Sequence, residues 1–346
     1  MGITTVNIKE CMAYHHVTGL SITGIENAQI SFANHYGALE AGTTKIVNKD
    51  TLFNACSISK FLTGMLVMPL CELGLFDLDE DINQKLISWK VPNHKYGESK
   101  YVTLRNLLCH QSGIIDPEDS FMELRTDDGF PSMVDLLNGK TPYCKKPIQL
   151  KYEPESDFQY SDAGYCIVQL LVEDLTGKTF QDLAEELIFQ PLEMLNSTLT
   201  MTIPAKDNYH FSCGHDKNGE LVDGKYTIYP YPAASGLWTT PSDLAKLVLE
   251  LINALHGNGN ILSEGKAKEL ISSQGCKEWT GLSVFLDHSK EELEISSLGW
   301  GMGFQCMMVA YPYRGTGFVI MTNTDLGVHQ LEGIIGDIYQ SYDFGS

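Results

Sequence analysis

The pattern of this 346-residue chain changes type twice along its length, and that order restricts its architecture more than any other feature. Alternating apolar residues over 20–26 and 28–36, flanked by Gly19, Gly24 and Gly37, predict two antiparallel strands after a short helix over 5–16. The long middle of the chain carries helical periodicity. Strand character then returns over 304–310 and 317–323, joined by a tight turn at 312–315, and a last helix covers about 328–340. Strands at both chain ends need a common sheet to satisfy their backbones. The expected fold class is therefore α+β: an antiparallel sheet built from both ends, flanked by helices, with a mainly helical second lobe. At ~150 residues per domain, the chain forms one two-lobed domain over 1–346, with 1–56 and 280–346 as the sheet lobe and 57–279 as the helical lobe. The cleft between the lobes is the natural place for a site.

Within the middle, 57–73 reads as a helix ending at Gly74, with Pro69 expected to kink its last turn. A short helix covers 104–109, and the rest of 77–160 reads as polar loops. A strong helix over 163–175 closes at Gly177, and another spans 180–189. Thr240-Pro-Ser-Asp243 is a capping box with proline in the first helical position, opening a helix to about Leu255.

Charge excludes some functions. Lysine and arginine number 24 against 44 acidic residues, a net charge of −20. Arg105, Arg125 and Arg314 are the arginines. Nucleic-acid binding needs a basic face, so no nucleic-acid partner is expected. The most apolar stretch, 61–76, is interrupted by Gly64, Pro69 and Glu72, so no membrane span is expected. The N-terminus lacks the basic and apolar regions of a signal peptide. Nine scattered cysteines without C-x-x-C spacing fit a reducing compartment, which makes the expectation cytoplasmic.

Serine hydrolase elbows, P-loops, H-E-x-x-H and dinucleotide fingerprints are missing from the sequence, so no cofactor and no metal are expected. His15, His16, His210 and His215 read as surface or core histidines, and His110 as a structural hydrogen-bonder.

Chemistry concentrates in Ser57-Ile-Ser-Lys60, an S-x-x-K at the start of an apolar helix. Residues three apart share a helix face. A serine at a helix N-terminus lies beside backbone N–H groups able to hold an oxyanion, and a nearby lysine can take its proton. Ser263-Glu-Gly-Lys266 also fits the motif, but Gly265 and its charges make it a surface turn. Tyr160-Ser161-Asp162 stands where a loop meets a helix, so Tyr160 can pass protons in a cleft. Ser297-Leu-Gly299-Trp300-Gly-Met-Gly303 brings three glycines to a strand edge. There a backbone N–H can complete an oxyanion hole with that of Ser57.

These segments resemble the serine β-lactamase and penicillin-binding-protein-like superfamily, nearest its class C β-lactamase-related esterases, peptidases and acyltransferases. Ser57-Ile-Ser-Lys60 resembles the first catalytic motif and Tyr160-Ser-Asp162 the Tyr-x-Asn motif. Thr103 to Gly113 resembles the family's LLTHTSG segment, Ile188 to Met194 its IFxPLGM, and Ala234-Ser-Gly236-Leu237 its GGL turn. The resemblance implies an acyl-serine mechanism with Ser57, Lys60 and Tyr160 as the catalytic set. Backbone N–H groups of Ser57 and Trp300 would form the oxyanion hole, and Asp162, Ser297, Gly299 and Trp300 would contact substrate.

Two departures bear on substrate. Ser297 stands where the family has a cation that holds a substrate carboxylate, and Asp162 stands where asparagine is usual. Both disfavour anionic substrates, and Asp162 is expected to attract an amine. The expected function is a serine esterase or amidase on a small uncharged or amine-bearing acyl compound. The alternatives are transfer to an alcohol or amine acceptor, or ligand binding without catalysis. An acidic protein also imposes a condition: Lys60 has to be desolvated enough to be a neutral base. Oligomeric state is not readable from the sequence.

Overall fold

The computed structural model describes residues 2–3, 6–92, 100–125, 128–203, 210–289 and 291–343. Both chain ends do build one sheet. Its strands are β1 (Gly19–Glu26), β2 (Gln29–Gly37), β3 (Phe285–Asp287), β4 (Glu294–Gly301), β5 (Phe304–Tyr311) and β6 (Thr316–Thr322). They form a six-stranded antiparallel sheet in the order β2-β1-β6-β5-β4-β3. The ends are joined at β1 and β6, whose register runs from Leu20 opposite Thr322 to Ile25 opposite Gly317. Central β1, β5 and β6 are buried nearly throughout, while edge strand β2 is largely exposed.

Sequence periodicity placed β1, β2, β5 and β6 but missed β3 and β4. Ser297 to Gly301, expected to lie at a strand edge, are strand residues within β4. The turn is the two-residue Met302-Gly303, with Gly303 at φ +79.

Helices α1 (Ile8–Tyr14), α2 (Ser59–Glu72), α3 (Leu104–Leu108), α4 (Asp162–Thr176), α5 (Pro241–Leu255) and α6 (Ile334–Ser341) complete the frame. One core holds α2, α4 and α5 together with the inner face of the sheet. A second, smaller core covers the outer face beneath α1 and α6. Helix α5 packs on β1, β2 and β6. The expected lobe boundary therefore needs correction, because a helix from within 57–279 covers the sheet itself.

Local signals mostly form as expected. Ser161 caps α4 by accepting the Gly164 N–H, and Gly177 ends the helix at φ +67. Thr240 accepts the Asp243 N–H at the start of α5, but the Asp243 carboxylate turns to the Asn196 N–H, Ser197 and Lys246. Pro69 does not end α2, which runs through to Glu72 with Leu73 N–H bonded to Pro69 O at 3.0 Å. The helix expected over 180–189 is a short α-helix, Phe180–Ala184, followed by a π-helical turn, Glu185–Phe189. The expected terminal helix begins late, as a 3₁₀ turn Gln330–Glu332 and then α6.

Ser263 to Lys266 is not a surface turn: Ser263 caps the helix Glu264–Leu270. Its hydroxyl accepts the Lys266 N–H, and the Lys266 ammonium pairs with Glu269. This second S-x-x-K is a helix start with both motif side chains engaged.

Candidate active site

Ser57 lies in the tight turn Cys56–Ile58 that feeds α2. Cys56 adopts φ +48, a left-handed conformation that costs an L-residue about 1–2 kcal/mol. The surroundings hold it there. Asn54 Oδ1 accepts the Cys56 N–H at 2.8 Å, and Asn54 Nδ2 donates to Thr227 O at 2.6 Å. Ser59 Oγ donates to Cys56 O at 2.6 Å and accepts the Leu237 N–H at 3.0 Å. The segment that resembled the GGL turn is thus bonded through Ser59 to the turn that carries Ser57.

Strand β4 closes in from the front. A Cβ on Gly299 would lie 2.3 Å from Ala55 O and from Cys306 Sγ, and one on Gly301 would lie 2.8 Å from Cys56 Sγ. The glycines let the strand press against the turn that carries Ser57. Sequence reasoning assigned that close approach to a ligand.

Lys60 projects from the first turn of α2 and is buried. Its Nζ donates to Ser57 Oγ at 3.2 Å, to Asp162 Oδ1 at 2.5 Å and to Ala234 O at 3.0 Å. Three acceptors match the three hydrogens of an ammonium. The Tyr160 ring lies beside the ammonium, its centroid 4.8 Å from Nζ. Burial alone would lower the Lys60 pKa, but the Asp162 charge and Tyr160 outweigh it and raise it. The expected condition, a lysine kept neutral by desolvation, is therefore not met at rest: Lys60 is an ammonium. Tyr160 is also pushed up, by burial first, with the Lys60 charge partly opposing.

Asp162 was read as a group that attracts a substrate amine. Its Oδ1 instead forms an ion pair with Lys60, and the residue is absent from the cavity wall. The cavity over Ser57 and Lys60 measures about 20 Å³. His110, Phe158, Tyr160, Ser283, Phe285 and Ser297 line it. Lys60 is the one cationic side chain among the described lining residues. Ser297 is buried there, as placed by sequence.

Gly299 and Trp300 are not on the cavity wall. The Trp300 indole is 44% exposed and donates to Asp325 Oδ1 at 2.7 Å. Strand alternation sends Leu298 and Trp300 to the face opposite Gly299. The sequence grouping is thus corrected for the Trp300 side chain, and its main chain alone runs beside the turn that carries Ser57.

His110 accepts the Ser161 N–H at Nδ1 (3.1 Å), and its ring stacks on Tyr160 with centroids 4.2 Å apart. Burial and then the Lys60 charge lower its pKa, so at neutral pH it is a neutral prop for the phenol. His215 is a core residue, bonded to Asn323 O and to the Ala41 N–H.

Several contributors had no local sequence signal. Phe158 and Phe285 form the aromatic wall, joined by Trp279. Ser283, at φ +67, accepts the Tyr165 hydroxyl at 2.7 Å. Asp116 lies behind Asp162 in a segment read as loop. Among the described residues no group of His, Cys, Asp and Glu could hold a metal ion, and no helix is long and apolar enough to cross a membrane.

Known proteins share this fold. The computed structure superposes on an octameric penicillin-binding protein homologue from Pyrococcus abyssi with a TM-score of 0.77 at 20% identity, covering 96% of this chain and 75% of that one. A D-amino acid amidase from Ochrobactrum anthropi SV3 gives 0.76 at 20% identity, covering 96% of each chain. In sequence, protein flp of Staphylococcus aureus (strain MW2) is 23% identical over 227 residues, 66% of this chain and 42% of that protein. The chain thus spans less than half the length of that relative. The Beta-lactamase family profile matches residues 6–333, and the chain belongs to that family.

Proposed function

We propose that this protein is a serine hydrolase that forms an acyl-enzyme on Ser57, acting as an esterase or amidase on small uncharged acyl compounds. One observation carries the reading: the buried Lys60 Nζ lies 3.2 Å from Ser57 Oγ, with its other hydrogens on Asp162 and Ala234. When the ammonium loses one proton, the two remaining N–H bonds keep Asp162 and Ala234 as partners. The lone pair then points at the Ser57 hydroxyl. The reactive form is a minor state in equilibrium with the resting ammonium, and its proton is shared with Tyr160 as a coupled pair.

Ser57 Oγ attacks the acyl carbonyl carbon while its proton passes to the deprotonated Lys60–Tyr160 pair. The oxyanion is held by two backbone donors, the Ser57 and Trp300 N–H groups. The β4–β5 hairpin supports the second. Its two-residue turn closes on the bonded pair Gly301–Phe304, and alternation along an antiparallel ladder then directs the Trp300 N–H outward from the sheet. Tyr160 returns the proton to the leaving group as the carbonyl–heteroatom bond breaks. A water deprotonated by the same pair then releases the acyl group and restores Ser57.

The substrate class follows from the wall. Ser297 occupies the position of the family's cation, Asp162 is held by Lys60, and the protein carries −20. A carboxylate therefore finds no free cation among the described lining residues. The space over Ser57 is about 20 Å³, room for roughly one water, which favours a small acyl group. The amine preference loses its support once Asp162 is paired. All nine cysteines are free thiols, which supports a reducing, cytoplasmic setting.

The test is intact-protein mass after a fluorophosphonate probe. Wild type gains one adduct and Ser57→Ala gains none. Equal masses for the two proteins remove the catalytic reading and leave ligand binding. A panel of p-nitrophenyl esters and amides then ranks acyl groups.

A further inference from the structure

Behind Asp162 lies a second carboxylate that the reaction does not touch. Asp116 sits in the loop after the short strand Ile114–Ile115 and is half-buried. Its Oδ1 accepts the Ser161 hydroxyl at 2.7 Å and the Ala163 N–H at 3.0 Å, while Oδ2 accepts the Asp162 N–H at 2.8 Å. Both oxygens thus bind the first turn of α4, the turn that carries Asp162. Two like charges side by side are unfavourable unless each is held. Asp116 is held by three donors, and Asp162 by Lys60.

We propose that Asp116 is a positioning residue for the Ser57 centre: it fixes the Asp162 main chain and thereby sets how firmly the Asp162 carboxylate grips the Lys60 ammonium. The proposal rests on the acyl-serine reading above. The chain of contacts is continuous, from Asp116 to the Asp162 N–H, from Asp162 Oδ1 to Lys60 Nζ, and from Nζ to Ser57 Oγ.

An asparagine at 116 cannot reproduce the hold. Placed either way, its NH₂ meets a backbone N–H, that of Asp162 or that of Ala163, and two donors face each other. The turn shifts, and the grip on Lys60 loosens. Burial and then the Asp162 charge raise the Asp116 pKa to about 6, so it is ionised throughout an assay between pH 7 and 10. The charged and titratable groups around it are Asp162 and Cys166 on α4, Cys144, and Glu118, Lys146 and Lys151 along the neighbouring cleft. The Lys60 shift is traced to Asp162 and Tyr160, which favours action through Asp162.

The experiment follows the rate of Ser57 labelling by a fluorophosphonate from pH 7 to 10. It uses full-length wild type, Asp116→Asn, Asp162→Asn and the double variant. Loosening the grip makes Lys60 easier to deprotonate. Asp116→Asn is expected to move the alkaline limb to lower pH and to speed labelling at pH 7 by about threefold to tenfold. In the Asp162→Asn background the same substitution is expected to leave the limb where it is. A purely structural cap would lower the melting temperature in both backgrounds without moving the limb. A limb unmoved by Asp116→Asn overturns the proposal. So does a shift that persists in full without the Asp162 carboxylate, since Asp116 would then act by its own charge. Asp116→Ser serves as a second variant, and insolubility of both makes Asp116 a folding residue and overturns the proposal. Wild type that gains no Ser57 adduct removes the acyl-serine reading itself, and this inference with it, before any variant is compared.

Discussion

Replacing Asp162 with asparagine should make the protein react faster near neutral pH. The Lys60–Asp162 contact is 2.5 Å, with the lysine side chain 4% and the aspartate 24% exposed. Two unit charges about 4 Å apart at an effective dielectric of ~20 attract by about 4 kcal/mol. At 1.36 kcal/mol per pKa unit, that would hold the ammonium up by about 3 units. The partial exposure of Asp162 and the amide oxygen left by asparagine, which still accepts from Nζ, reduce the loss to about 2 units. The alkaline limb should move down by that amount. A less basic lysine is also a weaker general base, which cancels about half the gain on a logarithmic scale. Labelling of Ser57 at pH 7 should therefore rise about tenfold, with the gain reversing to a loss above the wild-type limb. The assay is the fluorophosphonate rate against pH, with circular dichroism to confirm an equal folded fraction. A slower Asp162→Asn with its limb in place would refute the reasoning. It would mean that Asp162 works by keeping Lys60 charged during the reaction and that proton removal falls to another group.

Gly299→Ala puts a Cβ 2.3 Å from Ala55 O, a backbone atom with little room to move. Overpacking of that kind costs about 1–3 kcal/mol, so thermal unfolding should come earlier and Ser57 labelling should fall steeply. Trp300→Phe removes an indole bonded to Asp325 on the other face of the sheet. Labelling should stay within about threefold of wild type, and a large loss would place the indole rather than the main chain in the reaction. Ser297→Lys restores a cation to the cavity wall, so relative turnover of carboxylate-bearing amides and of nitrocefin should rise from a wild-type level near background. Ser263→Ala removes a helix cap worth about 1 kcal/mol and should shift the melting temperature with no effect on labelling, which separates the two S-x-x-K copies.

What the sequence could convey depended on how far apart in the chain the interacting groups lie. Helix starts at Ser161 and Thr240 were legible because a cap acts within three residues. The sheet was legible as a class because β1, β2, β5 and β6 alternate or run apolar, whereas β4, Glu-Ile-Ser-Ser-Leu-Gly-Trp-Gly, hides behind serine and glycine. Those glycines are explained by Ala55 and Cys56, roughly 240 positions earlier, and no window along the chain contains both. Ser57 and Lys60 share one turn, so their pairing was visible. The partner that decides the charge of Lys60 is 102 residues away, and the residue that positions that partner lies a further 46 back, in a stretch read as loop. An overall charge of −20 suggested that acidity would make Lys60 hard to neutralise. Screening over a Debye length of ~8–10 Å removes most of that distant charge. One carboxylate, 2.5 Å from a lysine whose side chain is 4% exposed, sets the protonation of Lys60. Any account of reactivity in this protein therefore has to begin from the Asp116–Asp162–Lys60 chain, and the pH dependence of Ser57 labelling measures that chain directly.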